Sequence, residues 1–421
     1  MKKPSIAILW WWAAGMMAVA ALSELHGDDA EIHLFEKNKS LWAKVLISWW
    51  WRCNVTTGIY KNKELLEHYP RWAEFLKYTF SKFWPRKIRN RFEDHGANLK
   101  EEADFRIFPV SNKGSDIVWI FDAIFSDKKV NLHFNESIIS IKKNEKKSGK
   151  KFALVSDISS YEFDYVLITT WWNAYSHTGS TWDGYTFARE LWHTITPLWP
   201  SLSSFLTKET WTHKLSWLSF KNAILRINLH WNKLSASGGM LLTHFGISWP
   251  ATFIISAYSA FETINESTPL QIYLQPYSDY DVHRRNAFLL EAMKDQSHKE
   301  LQTILWQKFP KRFVEEFLHH EKIDPKQHAN QLTKKTRDTL SDRLWNGILL
   351  NAVSRRPWDE FVTAGWVNTT EINPETMESL ICPWLYFAWE ILNIDWFTWW
   401  FNLQSSRATG MIAGLSILPT V

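Results

Sequence analysis

The N-terminal part of the chain has the hydrophobic pattern of a strand, a helix and a second strand. Residues 5–9 form a mostly apolar run suited to a buried strand, and residues 13–25 are rich in alanine and other helix formers. A second apolar strand is predicted at 31–35, directly before Glu36. Strand, turn, helix, strand and acidic residue in this order predict a βαβ unit.

The rest of the chain alternates between strand-like and helix-like patterns. Helices are predicted at 72–83, 85–95, 116–125 and 402–415, and strands at 151–155, 161–169, 222–229, 271–274 and 385–388. A long charged helical stretch is predicted at 283–320. The change of pattern indicates a first domain made of residues 1–196 and 356–421, interrupted by an inserted, mostly β domain at 197–355.

The N-terminus also admits a second interpretation. Lys2 and Lys3 precede an uncharged segment at 6–22, and residues 18–20 resemble a small-residue cleavage site. A signal peptide or a short membrane anchor would have this composition. The predicted strand that follows is succeeded by the acidic Glu36, and this arrangement favours the βαβ unit instead.

Composition and charge narrow the function classes. The chain has 421 residues, of which 45% are hydrophobic and 22% charged, as in globular proteins. The formal net charge of +4 does not demand a nucleic-acid or membrane partner. Only Cys53 and Cys382 are cysteines, so no disulfide framework or four-cysteine zinc site is expected. We expect a cytoplasmic protein without a bound metal; its oligomeric state is open.

Tryptophan is far more frequent than glycine, which is unusual. Average glycine usage of about 7% would give roughly 30 glycines in a chain of this length. The chain has 15 glycines and 28 tryptophans. The tryptophans occur in doublets and triplets inside segments that otherwise have the character of tight turns, which indicates that they occupy positions suited to glycine.

Motifs along the whole chain resemble those of a known protein family if glycine is placed at the tryptophan positions. The first turn would become G-G-G-A-A-G, ending at Gly15 and followed by the acidic Glu36, which is a dinucleotide-binding fingerprint. The other motifs are ISWWWRCN at 47–54, TTWW at 169–172, GSTWDGY at 179–185, THFGISWP at 243–250, TAGWV at 363–367, WLYFAWE at 384–390 and DWFTWWFN at 395–402. In this order they resemble the BaiN-like family of FAD-dependent flavoproteins.

The resemblance implies a fold, a cofactor and a set of site residues. It implies an α/β fold with a Rossmann-type FAD-binding domain interrupted by a mostly β substrate-side domain, non-covalent FAD, reduction by NAD(P)H, and a small-molecule substrate. Glu36 would hold the adenosine ribose, and further cofactor contacts would come from the following residues: Gly15, Arg52, Asn54, Thr170, Asp395 and Asn402. No residue is assigned as catalytic.

Tryptophan stands at seventeen positions where the family motifs have glycine. They are Trp10, Trp11, Trp12, Trp42, Trp49, Trp50, Trp51, Trp171, Trp172, Trp182, Trp249, Trp366, Trp384, Trp389, Trp396, Trp399 and Trp400. An indole at position 12 would occupy the space of the diphosphate, and position 10 needs a conformation that glycine adopts freely. We therefore expect a severely destabilised fold that binds no FAD and is inactive. The indoles expected to obstruct the site are Trp10, Trp12, Trp49, Trp50, Trp51, Trp171, Trp172, Trp396, Trp399 and Trp400.

Other hypotheses remain open at this point. The chain could be a flavoenzyme that tolerates the changes by rearrangement, or an aromatic-rich binding module with stacking platforms at 49–51 and 396–400. It could also aggregate through exposed apolar patches. Cys53 is either a packed small side chain or a redox group. Trp211 and Trp345 lie away from the glycine motifs and are predicted to be ordinary core or surface aromatics.

Overall fold

The computed structural model describes residues 3–10, 12–40, 52–69, 71, 73–144, 149–170, 183–230, 232–277, 282–357, 362–394 and 399–419. The chain divides into two compact units, one made of Met1–Trp199 and Val362–Val421 and the other of Pro200–Phe361. The elements below are numbered in chain order over the described residues.

The elements up to residue 201 are β1 Ser5–Leu9, α1 Ala13–His26, β2 Glu31–Glu36, β3 Thr56–Thr57, α2 Asn62–Leu66, α3 Ala73–Lys82, α4 Pro85–Asp94, β4 Leu99–Glu101, β5 Arg106–Pro109, α5 Ser115–Asp127, β6 Asn131–Phe134, β7 Ile138–Lys143, β8 Phe152–Ser156, β9 Ser160–Phe163, β10 Tyr165–Ile168, α6 Asp183–Glu190 and β11 Trp199–Ser201. The next are β12 Phe205–Thr207, α7 Thr210–His213, β13 Ser219–Leu229, β14 Asn232–Leu242, β15 Gly246–Ser248, α8 Pro250–Tyr258, β16 Leu270–Gln275, α9 Val282–Asp295, α10 Leu301–Leu305, α11 Lys311–His320, α12 Lys334–Ser341 and β17 Ile348–Arg355. The last are β18 Val362–Ala364, β19 Leu385–Phe387 and α13 Trp399–Ser416. Short 3-10 turns lie at Ala329–Gln331, Thr369–Glu371 and Trp389–Ile391, and a π-helical turn at Asp342–Asn346.

A five-stranded sheet with the order β19-β10-β1-β2-β6 forms the centre of the first unit. All its neighbouring strands are parallel. Every residue of β1 is buried, as expected for a parallel strand with both faces covered. The βαβ unit predicted from the hydrophobic pattern is confirmed, since β1, α1 and β2 lie within one residue of their predicted bounds.

The segment predicted as one strand at 161–169 is two strands, which corrects that prediction. Strand β9 belongs to an antiparallel sheet with β8, whereas β10 belongs to the parallel sheet. The change occurs at Asp164, whose carboxylate accepts hydrogen bonds from the Ser5 amide at 2.8 Å and from Lys150 at 2.5 Å. The hydrophobic pattern does not mark this division, because only one residue separates the end of β9 from the start of β10.

Helices α1 and α13 pack closely because glycine lies at their contact. A Cβ atom added to Gly410 would lie 2.3 Å from the Ala14 carbonyl oxygen, and one added to Gly414 would lie 2.4 Å from that of Ala18. Since only glycine permits this backbone approach, these positions fix the closing helix against the helix of the βαβ unit.

The second unit contains a closed barrel with the strand order β12-β15-β14-β13-β16-β17. Trp211 and Trp345 are buried in its core, so the prediction that they are ordinary aromatics is confirmed. The predicted helical stretch at 283–320 is three helices, α9, α10 and α11, rather than one. Pro310 lies directly before α11. A proline disfavours the helical conformation of the residue before it, so one continuous helix is not expected to run through this point.

Six tryptophans of the described residues have positive φ angles. They are Trp10 (76°), Trp192 (69°), Trp217 (70°), Trp249 (87°), Trp384 (70°) and Trp389 (74°). Only a few per cent of non-glycine residues adopt this conformation, and bulky residues do so least. Two of the six, at 192 and 217, lie outside the seventeen motif positions, so tryptophan occupies glycine-favouring backbone beyond the cofactor motifs as well.

Trp192 provides a test of this interpretation. Trp192 forms a left-handed cap after the last turn of α6. Its amide donates a hydrogen bond to the Arg189 carbonyl at 3.0 Å, and the His193 amide donates one to the Ala188 carbonyl at 2.9 Å. Glycine is the usual residue at this position of such a cap. In a variant with glycine at all seventeen motif positions, hereafter the seventeen-glycine variant, we expect W192G to raise the free energy of unfolding by about 1 kcal/mol.

The matched control is Trp119, which is 66% exposed against 64% for Trp192 but lies inside helix α5. There the same substitution is expected to lower the free energy of unfolding by about 1 kcal/mol, because glycine is unfavourable within a helix. Urea denaturation measures the free energy of unfolding of both variants. If both substitutions changed this free energy in the same direction, the positive φ of Trp192 would not be the cause of the change at that position.

Candidate functional site

The turn after β1 keeps the tight geometry of a dinucleotide-binding turn. The Trp10 amide donates to the Phe35 carbonyl at 3.0 Å, and the Trp10 carbonyl accepts from the Thr169 hydroxyl at 2.7 Å. A Cβ atom on Gly15 would lie 2.5 Å from that carbonyl oxygen. The surviving glycine of the fingerprint therefore permits the close approach of helix and strand that the motif requires.

Trp12 lies at the N-terminus of α1, directly after the turn. It is the N-cap residue of that helix and makes no side-chain cap hydrogen bond. Its indole is buried and stacks on that of Trp389, with ring centroids 5.6 Å apart and planes 2° from parallel. Two large apolar rings are therefore buried next to the residue at which the helix begins.

Two cavities lined by described residues lie beside this turn, and both are small. One, lined by Trp12, Cys53 and Arg407 among others, has a volume of about 10 Å³. Another, lined by Trp10 and Lys37 among others, also has about 10 Å³. Each has room for about one water molecule, whereas pockets for drug-sized ligands measure about 300–1,000 Å³.

Glu36 lies where the ribose-binding carboxylate was predicted, at the end of β2. Its side chain is buried and accepts hydrogen bonds from the backbone amide of Asn38 at 2.8 Å and from its side-chain amide at 2.6 Å. The neighbouring Lys37 ammonium lies 4.5 Å from the centre of the Trp10 ring. Burial lowers the pKa of Lys37, and the carboxylates of Asp183 and Glu36 partly offset this effect.

Arg52 and Asn54 flank Cys53 but have different surroundings. The Arg52 guanidinium pairs with Glu102, donates to Asn112 at 2.8 Å and lies 4.0 Å from the centre of the Phe108 ring. Its charge is therefore engaged within the chain. Asn54 is fully buried, and its side-chain oxygen accepts from the Ile107 amide at 3.2 Å.

Three of the predicted site residues have buried polar atoms without a hydrogen-bond partner in the described structure. They are the side-chain nitrogen of Asn54, the hydroxyl of Thr170 and both side-chain polar atoms of Asn402. Such atoms each cost about 1–3 kcal/mol. Their presence supports a polar ligand at this end of the sheet in a chain without the obstructing rings.

Several predicted residues lie outside the described residues. They are Asp395, Trp49, Trp50, Trp51, Trp171, Trp172 and Trp396. The backbone of Trp399 and Trp400 begins α13, but their side chains are not described. The stacking platforms of the binding-module hypothesis involve these same residues, so the described structure brings no evidence for them.

Three further motif tryptophans have different surroundings. Trp366 is buried beside Tyr185, with ring centroids 5.8 Å apart. The Lys151 ammonium lies over the ring of Trp384, 4.7 Å from the ring centre. Trp249 is half exposed at the N-terminus of α8 in the second unit. The tryptophans at the positions where the motifs predict glycine are therefore not confined to one pocket.

The described residues around the turn combine features of a dinucleotide site with two buried indoles. The tight turn, the carboxylate of Glu36 and the unpaired polar atoms are features of a dinucleotide site. The indole of Trp12, the N-cap residue of α1, stacks on the buried indole of Trp389.

Arg407 is a buried residue of this region that the sequence motifs did not identify. It is 2% exposed, lies in the middle of α13 and donates to the Asn54 carbonyl at 3.2 Å. A signal was present, because Arg407 is the only charged residue of that helix. A single charge among apolar and small residues marks a position that needs a buried partner.

The described residues contain no group of three or more histidine, cysteine, aspartate or glutamate side chains placed to hold a metal ion. None of the helices described has the length and apolar character required to cross a bilayer.

Comparison with known proteins gives matches over nearly the whole chain. The family described as HI0933-like protein Rossmann domain matches residues 5–416. The 3-dehydro-bile acid delta(4,6)-reductase of Clostridium scindens is 24% identical over 411 residues, covering 97% of this chain and 98% of the relative. The ribosomal RNA dihydrouridine synthase of Haemophilus influenzae is 23% identical over 412 residues, covering 96% of each. A solved 3-ketosteroid-delta4-(5alpha)-dehydrogenase from Rhodococcus jostii RHA1 is similar with a TM-score of 0.46 and 11% identity, covering 99% of this chain and 97% of the other.

Proposed function

The chain belongs to the HI0933-like Rossmann-domain family, and from this membership we propose that it is the scaffold of an FAD-dependent oxidoreductase that does not bind FAD in its present form. The stacked pair of Trp12 and Trp389 carries the second part of the proposal, since both indoles are buried at the turn of the fingerprint. A chain that cannot hold the flavin cannot perform its redox chemistry. We therefore propose that the chain is inactive.

The parental activity is proposed from the motifs of the chain. A nicotinamide nucleotide would reduce the flavin, and a small molecule would be the substrate. The two named relatives have names that refer to chemically different substrates, a bile acid and ribosomal RNA. We favour a small molecule without nucleic-acid binding, because the charge pattern shows no basic groove, and we propose a cytoplasmic location.

Equilibrium dialysis against FAD tests the binding part of this proposal. The full-length chain is expected to retain no measurable FAD above the free concentration, because the rings of Trp12 and Trp389 exclude the diphosphate from the helix N-terminus. The seventeen-glycine variant is the positive control and is expected to bind about one FAD per chain. Saturable binding of one FAD by the unmodified chain would refute the proposal and favour a flavoenzyme that tolerates the indoles.

A further inference from the structure

Two histidine side chains meet at the edge of the parallel sheet, one on β2 and one on β6. The Nδ1 atom of His33 lies 2.9 Å from the Nε2 atom of His133. The ring centres are 5.2 Å apart and the planes 24° from parallel, so the two nitrogens face each other between the rings. Over the described residues, β6 is the last strand of this sheet and pairs with β2. The contact therefore joins the edge strand to its neighbour.

The neighbouring Glu136 determines where the protons of this pair lie. Glu136 is buried, and one of its carboxylate oxygens lies 3.1 Å from Nδ1 of His133, while the other accepts from the Ser156 hydroxyl at 2.5 Å. A carboxylate only accepts hydrogen bonds, so Nδ1 of His133 carries a hydrogen. In a neutral imidazole the other nitrogen is then an acceptor. The Nδ1 atom of His33 is therefore the donor between the two rings.

This arrangement accommodates one added proton but not two. After the first, a single hydrogen still lies between the two facing nitrogens, whichever ring carries the charge, so the contact persists. A second would place a hydrogen on both facing nitrogens and a positive charge on both rings. Two N–H donors cannot hydrogen-bond to each other, and like charges at this distance repel. Protonation of both rings must therefore open the contact.

The groups packed around His33 favour its neutral form on balance. Burial lowers the pKa of His33 to about 4, and the charge of His133 adds to this effect. Glu31 opposes the shift, whereas Lys150, which is paired with Asp164, adds to it. Because this pKa lies below the usual value of about 6.5, the folded state loses stability as the pH falls from about 6.5 towards 4.

The side chains of β9 that face the pair are uncharged in this pH range. The ring of Tyr161 lies edge-on to that of His133, with centroids 5.4 Å apart, and the ring of Phe163 lies edge-on to that of His33, with centroids 5.0 Å apart. Burial raises the pKa of Tyr161 from its usual value of about 10, so its hydroxyl is neutral. These two side chains add no counter-charge for a second proton.

Strand β6 leads directly into a turn that lies against the loop after β2. The Asn135 amide donates to the Asn38 carbonyl at 3.2 Å, and the Glu136 amide donates to the Glu36 carbonyl at 3.2 Å. The side chain of the same Glu136 accepts the hydrogen bond from His133. The histidine contact and the backbone of Glu36 are therefore linked through one residue.

We propose that the contact between His33 and His133 is an acid-sensitive latch, which holds β6 and the turn at Glu136 until both imidazoles are protonated and then releases them. Through the amide of Glu136, the loop that follows Glu36 comes under the same control. The proposal does not depend on FAD binding, because it concerns only the edge of the sheet.

Hydrogen–deuterium exchange of residues 131–136 tests the latch in the full-length seventeen-glycine variant, since none of the seventeen positions lies in the cluster. After correction for the intrinsic exchange rate, the opening equilibrium of this segment should rise by up to about tenfold for each pH unit below about 6.5, because the open state binds one more proton. H33N keeps a donor towards His133 but does not titrate, so most of this rise should disappear. H133Q should also reduce the rise, since its side-chain oxygen accepts from a protonated His33.

The matched control is His230, which also contacts a carboxylate, that of Glu262 at 2.7 Å, but is 77% exposed and lies in the second unit. H230N should leave the pH dependence of residues 131–136 unchanged. Residues 5–9 of the central strand β1 report whether the sheet stays folded, and their protection should change far less.

Three outcomes would overturn the proposal. A rise that H133Q leaves unchanged would show that burial of His33 alone is the cause. An equal rise at residues 5–9 would indicate general acid unfolding rather than opening of the edge. Absence of protection in both segments at neutral pH would mean that the edge of the sheet is not formed. H33N and H133Q are compared separately with the parent, so a failure of H33N to fold leaves the result of H133Q decisive.

Discussion

Restoring glycine at all seventeen motif positions is expected to produce a chain whose melting temperature rises with FAD concentration. Restoring glycine at 10, 11 and 12 alone is expected to produce no rise of the melting temperature with FAD concentration. The triple variant still carries Trp389, whose buried indole lies against the position of the Trp12 ring. It also carries the tryptophans at 49–51, 171–172 and 396–400 in the other motif turns.

The size of this effect follows from ligand linkage. A ligand that binds only the folded state stabilises it by about 2.7 kcal/mol at one hundred times its Kd. For the seventeen-glycine variant this corresponds to a rise of several degrees, measured by differential scanning calorimetry at increasing FAD. A rise in the triple variant would mean that the later tryptophans lie outside the cofactor site. No rise in the full variant would mean that the site does not hold FAD.

The unmodified chain is expected to be loosely packed or aggregated. Each tryptophan at positive φ costs about 1–2 kcal/mol, so six of them have a combined cost comparable with the whole stability of about 5–15 kcal/mol of an ordinary protein. Unpaired buried atoms of Asn54, Thr170 and Asn402 add to this cost. We expect ANS binding and no sharp thermal transition.

Calorimetry decides this prediction. The seventeen-glycine variant serves as the control and should unfold cooperatively, with weak ANS fluorescence. A single cooperative peak for the unmodified chain, with equal calorimetric and van't Hoff enthalpies, would show that the indoles are accommodated at far lower cost than their backbone angles imply.

The sequence predicted the parts of the fold that depend on local pattern. Strands β1 and β2 and helix α1 follow from apolar periodicity. The motifs placed Gly15 at the start of α1 and Glu36 at the end of β2, where the structure has them. Family membership is confirmed over residues 5–416. Closure of the barrel in the second unit could not be predicted, because pairing between β12 and β17 depends on residues far apart in the chain.

The site was predicted less completely than the fold. Trp12 was predicted to lie at the turn of the fingerprint, and it is the N-cap residue of α1. Its stacking partner Trp389 was not predicted, since the two positions are 377 apart in the chain. The position of Arg52 beside the cofactor stays a prediction, and the pairing of its guanidinium with Glu102 was not predicted. The contact between Arg407 and the turn of Cys53 depends on the packing of α13, which no motif contains.

The most direct test of the central claim is the visible absorption spectrum of the full-length chain, purified as it stands and without added FAD. Our proposal is that the stacked rings of Trp12 and Trp389 exclude the diphosphate, and on this basis we expect a colourless protein with no flavin band. The seventeen-glycine variant, expressed and purified in the same way, should be yellow. A flavin band at near-stoichiometric occupancy in the unmodified chain would contradict the account.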